Sequence, residues 1–287
     1  MSHIAVQRVM VRMLFDRAYA DRVLATPEET LRGEDVSERE RAWLLRPDPR
    51  AWRADAGRPR RALSALLQEY PSSFALIVRS MGTLDILASY FASLHFARAV
   101  GPRGSMALAF GDFLLAEVHA GRISDPRVAA LAGLERAFAQ LHRTSTSREP
   151  EAGFEATHFS LSSDKSLYRA PRGTADLHEA IHLALNETGH PMGQAVLEPP
   201  PLPSAAVSTD ELEPLLLELL RDDGPRVKYL AGAAEITEEL FSLLEYARQR
   251  RTFAELVAEV TRLGAEESEA PEVIAGLIEE TILVPAR

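Results

Sequence analysis

Apolar residues recur at helical spacing through the first half of the chain and turn to alternation shortly past its middle. In residues 6–25, Val9, Val11, Leu14, Phe15, Tyr19, Val23 and Leu24 recur at roughly helical spacing. Ser37 and Glu40 spell a capping box ahead of "RAWLL", and Pro47-Asp48-Pro49 breaks the chain soon after. A further helix is predicted through "PRRALSALLQEY" to Pro71. Residues 74–100 and 105–121 are apolar enough to be well-buried helices, separated by Gly101-Pro102-Arg103-Gly104. Asp125 and Pro126 mark the start of a helix over "RVAALAGLERAFAQLHR". Trp43, Trp52 and Phe91 read most economically as core residues.

The Ser/Thr/Pro/Gly-rich stretch 144–153 has the make-up of a connector, which places a boundary between a helical domain, 1–146, and a second domain, 154–287. In the second domain "FEATHFSLSSDKSLYRAP" alternates and predicts a strand pair joined by a "SSDKS" turn. Gly173 and Thr174 then open a helix, and the Pro-rich spacer 198–204 follows it. "TDELEPLLLELLRDD" predicts a helix closed by Gly224, and "RVKYLA" a short strand. Two amphipathic helices come next. The first carries Leu240, Leu243, Leu244 and Ala247, and the second Phe253, Leu256, Val257, Val260 and Leu263. Thr252 and Glu255 cap the second, and Gly264 ends it. "SEAPEVIAGLIEETILVP" supplies a third helix and a closing strand. The expected fold class is mainly α (α+β), a helical domain followed by a winged-helix-like α+β domain with short strands.

Composition narrows the functions open to such a chain. With 287 residues, 46 % of them hydrophobic, and a formal net charge of -10, a sizeable core is available and sequence-independent attraction to phosphate is not. Cysteine is absent, which excludes disulfides, thiolate metal sites and cysteine nucleophiles and suggests a reducing compartment. The amino-terminal stretch is punctuated by Arg and Asp and lacks the pattern of an export signal, so a cytoplasmic location is expected, and no stretch approaches the roughly 18 apolar residues of a membrane span.

One motif points to catalysis. His178-Glu179-x-x-His182 places two imidazoles one helical turn apart with a carboxylate between them, the spelling by which zinc metallopeptidases hold metal and general base. A third ligand is needed. His190 does not fit the spacing of the extended motif, and Glu218 has nothing local to recommend it over other acids. A HExxH zinc metallopeptidase is therefore the alternative reading. A winged-helix regulator of DNA is a weaker one, because "EAPEVIAGLIEE" carries no Arg or Lys and its carboxylates repel phosphate. What such a module retains is peptide recognition, with an exposed strand edge at Val227, Lys228, Tyr229 and Leu230 and an apolar floor of Ile274, Leu277 and Ile278.

Several stretches resemble the partner subunits of multinuclear non-haem iron-dependent oxidative enzymes (MNIO partner proteins), which serve in ribosomal peptide natural product (RiPP) biosynthesis of the methanobactin and thiaglutamate type. They are "ERAWLLRPDPRAWRAD", "GRPRRALSALLQEYP", "YFASLHFARAVGPRGSMALAFGDFLL", "DPRVAALAGLERAFAQL", "SLYRAPRGTADLHEAIHLAL" and residues 250–285. The resemblance implies a non-catalytic chain that docks the iron enzyme through its helical domain, as a heterodimer or larger hetero-oligomer. Its second domain would bind the leader of a precursor peptide as a recognition element. Iron is then expected in the partner and no cofactor in this chain, and neither nucleic acid nor membrane is an expected partner. His178 and His182 are not needed at their positions by that family, so on this reading the zinc-like spelling is a coincidence.

Overall fold

A computed structural model describes residues 3–53, 55, 57–100, 104–145, 158–222 and 228–286. Among these residues there are fifteen α-helices and two small three-stranded sheets, which is the mainly α, α+β class expected. The chain divides into two compact units, one of residues 1–136 with 180–203, the other of 137–179 with 204–287. The expected boundary near 146–154 differs from this in one main respect. The stretch 180–203, expected with the second domain, belongs to the helical unit because its short helix α12 (Met192–Leu197) packs Ala195 and Val196 against α5 and α6.

The helical unit contains α1 (His3–Phe15), α2 (Arg17–Ala25), α3 (Pro27–Thr30), α4 (Glu38–Leu45), α5 (Arg58–Glu69), α6 (Pro71–Met81), α7 (Asp85–Ala88), α8 (Leu94–Ala99), α9 (Met106–His119) and the start of α10 (Arg127–Thr144). The long helix predicted over 6–25 is two helices, since Asp16 leaves helical geometry and caps α2 by accepting from the Tyr19 amide. Ser37 and Glu40 form the predicted capping box at α4. Helix α6 is the most enclosed element, with every residue from Pro71 to Ile77 buried. Around it Tyr70, Phe74, Tyr90, Phe91, Phe110 and Phe113 meet at ring distances of 5 to 6 Å, in edge-on and tilted pairs that add to the burial of their area. Tyr70 and Tyr90 satisfy their hydroxyls by donating to the Ala107 and Met106 carbonyls at the start of α9. Phe91 is core as expected, whereas Trp43 is 54 % exposed.

The second unit holds β1 (His158–Leu161), β2 (Lys165–Arg172), β3 (Ser208–Asp222), β4 (Lys228–Glu235), α13 (Glu238–Tyr246), β5 (Arg251–Thr252), α14 (Phe253–Arg262), α15 (Ala270–Glu279) and β6 (Leu283–Pro285). The turn at 162–164 is where it was predicted, yet β1 and β2 do not pair with each other. β1 lies between β5 and β6, and β2 joins β3 and β4, all antiparallel. The three helices and the β5-β1-β6 sheet enclose one core with Leu167 and Leu216 of the other sheet. This is the winged-helix-like portion expected, with a second sheet attached.

The helix predicted over 209–223 is strand β3. Leu215, Leu216, Leu217 and Leu219 are all buried, so the strand is covered on both faces and its leucines form a continuous run. Periodicity cannot tell such a run from a buried helix. Pro214 is tolerated although β3 is the central strand, because β4 reaches only to Glu235 opposite Leu215 and leaves Pro214 one ladder neighbour, at Arg169. Lys165 lies opposite Glu218 and pairs with it, which accounts for both the buried lysine and the carboxylate considered as a metal ligand. Gly224 lies outside the described residues. The opening of α11 (Thr174–Glu187) follows β2 directly through Gly173.

Candidate functional site

On the three-helix portion of the second unit an apolar groove of about 680 Å³ opens between α13, the end of α14 and α15. Each helix presents the residues its pattern dictates. Leu240 and Leu243 come from α13, Val260 and Leu263 from α14, and Val273 and Leu277 from α15. Leu243, Val260 and Leu277 are buried and form the base, while Leu240 and Leu263 are half-buried and Val273 is 41 % exposed at the side. Thr252 and Glu255 form the predicted capping box that starts α14, and Gly264, at φ +112°, ends it and lets the chain turn away beside the groove. The volume falls within the roughly 300–1,000 Å³ of ordinary ligand sites. The rim carries Glu239, Glu272 and Glu280 and, among the lining residues, no Lys, Arg or His.

The residues expected to bind peptide are divided by the structure. Val227 lies outside the described residues. Lys228, Tyr229 and Leu230 begin β4, which pairs with β3 opposite Asp222, Arg221 and Leu220. β4 is a sheet edge, with no second neighbour among the described residues. Ile274 is completely buried in the core of its own unit, so it supports the groove from behind and offers no surface. Leu277 reaches the groove base, and Ile278 is half-buried against the same core without lining the groove. The contribution of α13, and of the Gly276 gap in α15, was not found from sequence. The signal was present in the helical spacing of Leu240 and Leu243 against Val273 and Leu277, but spacing does not say which apolar rows remain partly uncovered.

The zinc-like spelling lies on α11. His178 and His182 are each half-buried, and Glu179 is exposed. Glu135 of α10 lies in the same unit as His182, and a ligand atom of each lies within 4.8 Å of the other. An imidazole and a carboxylate are donors that zinc and other divalent transition metals accept. Glu135 has a structural occupation as well. Its two oxygens accept from the Ser72 amide at 2.7 Å and the Ser73 amide at 3.2 Å, and the Ser73 hydroxyl donates to it. Pro71 has no N–H and Phe74 donates to the Tyr70 carbonyl, so this carboxylate completes the start of α6. Burial pushes the Glu135 carboxyl up to about 8 against the pull of these donors, and burial also lowers His182. Glu135 was legible as an acid in the apolar row Val128, Leu131, Leu134, Phe138 of α10, where a carboxylate needs a buried partner.

A second buried glutamate caps α11 itself. Glu213 of β3 accepts from the Gly173 amide at 2.9 Å and from the Ala175 amide at 3.4 Å, and the Thr174 hydroxyl donates to the Pro171 carbonyl. In the helical unit a smaller apolar pocket of about 280 Å³ is formed by Met10, Trp43, Leu44, Pro47 and Trp52.

No family model matches the chain, and no curated protein matches it. Among the described residues no helix is long and apolar enough to cross a membrane.

Proposed function

We propose that this chain is a non-catalytic recognition subunit that binds a ribosomally made precursor peptide and presents it to a separate multinuclear iron-dependent oxidative enzyme. The observation that carries the reading is the groove between α13, α14 and α15. It is apolar at its base, open along its length and formed on a fold unit in which β4 is, among the described residues, a sheet edge. Both are standard means of holding a peptide, the groove through side chains and the edge through backbone hydrogen bonds. The assignment of the partner rests on the sequence resemblances set out above. Tethering would raise the local concentration of the segment to be modified at the partner's iron site, an advantage set by linker length alone. Co-expression with an iron enzyme of this class and its precursor peptide is expected to yield a complex that survives purification, with modification falling at least about tenfold when this chain is omitted. Absence of a complex together with undiminished modification would overturn the proposal.

The His178-Glu179-x-x-His182 spelling on α11, with Glu135 close to His182, favours a second reading, a zinc-dependent hydrolase. Bound there, zinc would acidify a water and polarise a carbonyl. The two readings part on metal content and on Glu179. A hydrolase retains about one zinc per chain and loses its activity in Glu179→Gln. For a recognition subunit, metal analysis of protein purified without chelator is expected to show far less than one zinc per chain. Modification supported by Glu179→Gln is expected to equal that of the wild type, since this side chain is exposed on α11.

A further inference from the structure

The rim of the groove constrains its guest more closely than the apolar base does. Glu272, Gly276 and Glu280 stand at i, i+4 and i+8 of α15, in one row along the same side of the helix. At a rise of about 1.5 Å per residue the two carboxylates stand roughly 12 Å apart, with a gap at Gly276 between them. A Cβ built at Gly276 meets nothing within 4 Å, so the gap is open space. Glu239 faces the row from the start of α13. None of these three side-chain carboxylates has a hydrogen-bond or ion-pair partner among the described residues, whereas those of Glu238, Glu245 and Glu259 nearby are each paired with an arginine. An apolar trough between unpaired like charges is suited to a guest that brings apolar side chains and cations together.

We propose that the groove binds a cationic amphipathic segment. Its apolar side chains would enter over Leu243, Val260 and Leu277, one of them at the Gly276 gap. Two Lys or Arg residues about 12 Å apart would lie on Glu272 and Glu280. That separation corresponds to about seven or eight residues of a helical guest, or to three or four of an extended one. The inference rests on the reading of the groove as the peptide-binding site and deepens it by naming the class of peptide. An acidic segment with the same apolar residues would be rejected, since it would place like charges against each other over a low-dielectric base.

The test uses the full chain and two labelled synthetic peptides of about 16 residues, identical in their leucines, one with Lys and the other with Glu at the flanking positions, followed by fluorescence anisotropy. The Lys peptide is expected to bind at least about tenfold more tightly than the Glu peptide and to weaken between about 50 and 500 mM NaCl, as screening of exposed charges requires. Gly276→Leu, which fills the gap on an intact helix, is expected to weaken the Lys peptide about tenfold. Changing Glu239, Glu272 and Glu280 together to Lys alters only the rim and is expected to reverse the preference of the two peptides. Equal, salt-independent binding of both peptides, with Gly276→Leu still weakening them, would overturn the charge rule and leave the groove as a peptide site. Binding of neither peptide, or binding indifferent to Gly276→Leu and to the triple change, would overturn the groove reading as well.

Discussion

Glu135→Ala is expected to lower the stability of the protein by about 3–5 kcal/mol, through the two amides and the hydroxyl it leaves buried without an acceptor. Ser72 and Ser73 supply the N–H groups at the start of α6 that no intrahelical carbonyl can reach, and water cannot reach them either, since both residues are fully buried. An ordinary exposed helix cap contributes about 1 kcal/mol, because solvent replaces a lost side chain there. Here nothing replaces it. Glu135→Gln keeps one acceptor oxygen for the amides and, like the protonated carboxyl it replaces at pH 6, presents a donor at the other position, so it is expected to cost about 1 kcal/mol or less. Chemical denaturation of both variants at pH 6 checks the order, and a loss below 1 kcal/mol in the alanine variant would show that α6 does not depend on this carboxyl group.

The same residue fixes a pH dependence whose sign follows from its direction of shift. In chelator-treated protein the carboxyl is raised from 4.5 to about 8, so the folded state holds a proton that the unfolded state has released. The stability it contributes is complete below about pH 4.5 and is lost as pH rises toward 8, at a slope of at most about 1.4 kcal/mol per unit from this one group. His182 acts in the opposite sense. Its lowered value favours the neutral ring in the folded state, and that contribution is present above 6.5 and lost as pH falls through the folded value. Glu135 is therefore expected to lower the melting temperature of the wild type as pH rises from about 5 to about 8, with no further fall above that value. Glu135→Gln removes that decline and leaves the loss on the acid side in place.

What could be read from the sequence depended on whether the responsible interaction was local. Both capping boxes, Ser37 with Glu40 and Thr252 with Glu255, are contained within four residues, and both stand as read. The amphipathic rows of α13, α14 and α15 were legible for the same reason. β3 was not, because burial on both faces erased its alternation. Pro214 in its middle was the available warning, since an interior helical proline costs about 3 kcal/mol. The strand pair expected across the 162–164 turn failed differently: both strands exist, but their partners lie about 36 to 126 positions away. The candidate site shows the same division. Leu277 reaches the groove, whereas Ile274 and Ile278, similar apolar residues on the same helix, do not, and only packing distinguishes them. Glu135 reaches His182 from another helix, at a sequence distance at which no spacing rule operates.

Gly173→Ala is expected to cost about 2–4 kcal/mol, and the reason lies in how β2 gives way to α11. The chain must turn from an extended strand into a helix within one residue, and Gly173 does so at φ +84°, a left-handed conformation that costs an L-residue roughly 1–2 kcal/mol. An added Cβ would also lie 2.9 Å from the Ala206 carbonyl oxygen, which is backbone and cannot rotate away. Relieving that contact requires the turn to open, and the Gly173 amide would then draw away from Glu213, a residue only 6 % exposed whose carboxylate serves the first turn of α11. Gly276→Ala tests the assignment of cause. It makes the same chemical change on a helix at an unstrained, open position, and is expected to stabilise the protein by about 0.5–1 kcal/mol. Opposite signs in denaturant titrations of the two variants identify backbone geometry as the cause at Gly173. A loss at both positions, or at neither, would mean that the turn into α11 is not held as the structure has it, and would unsettle the placement of His178 and His182 that depends on it.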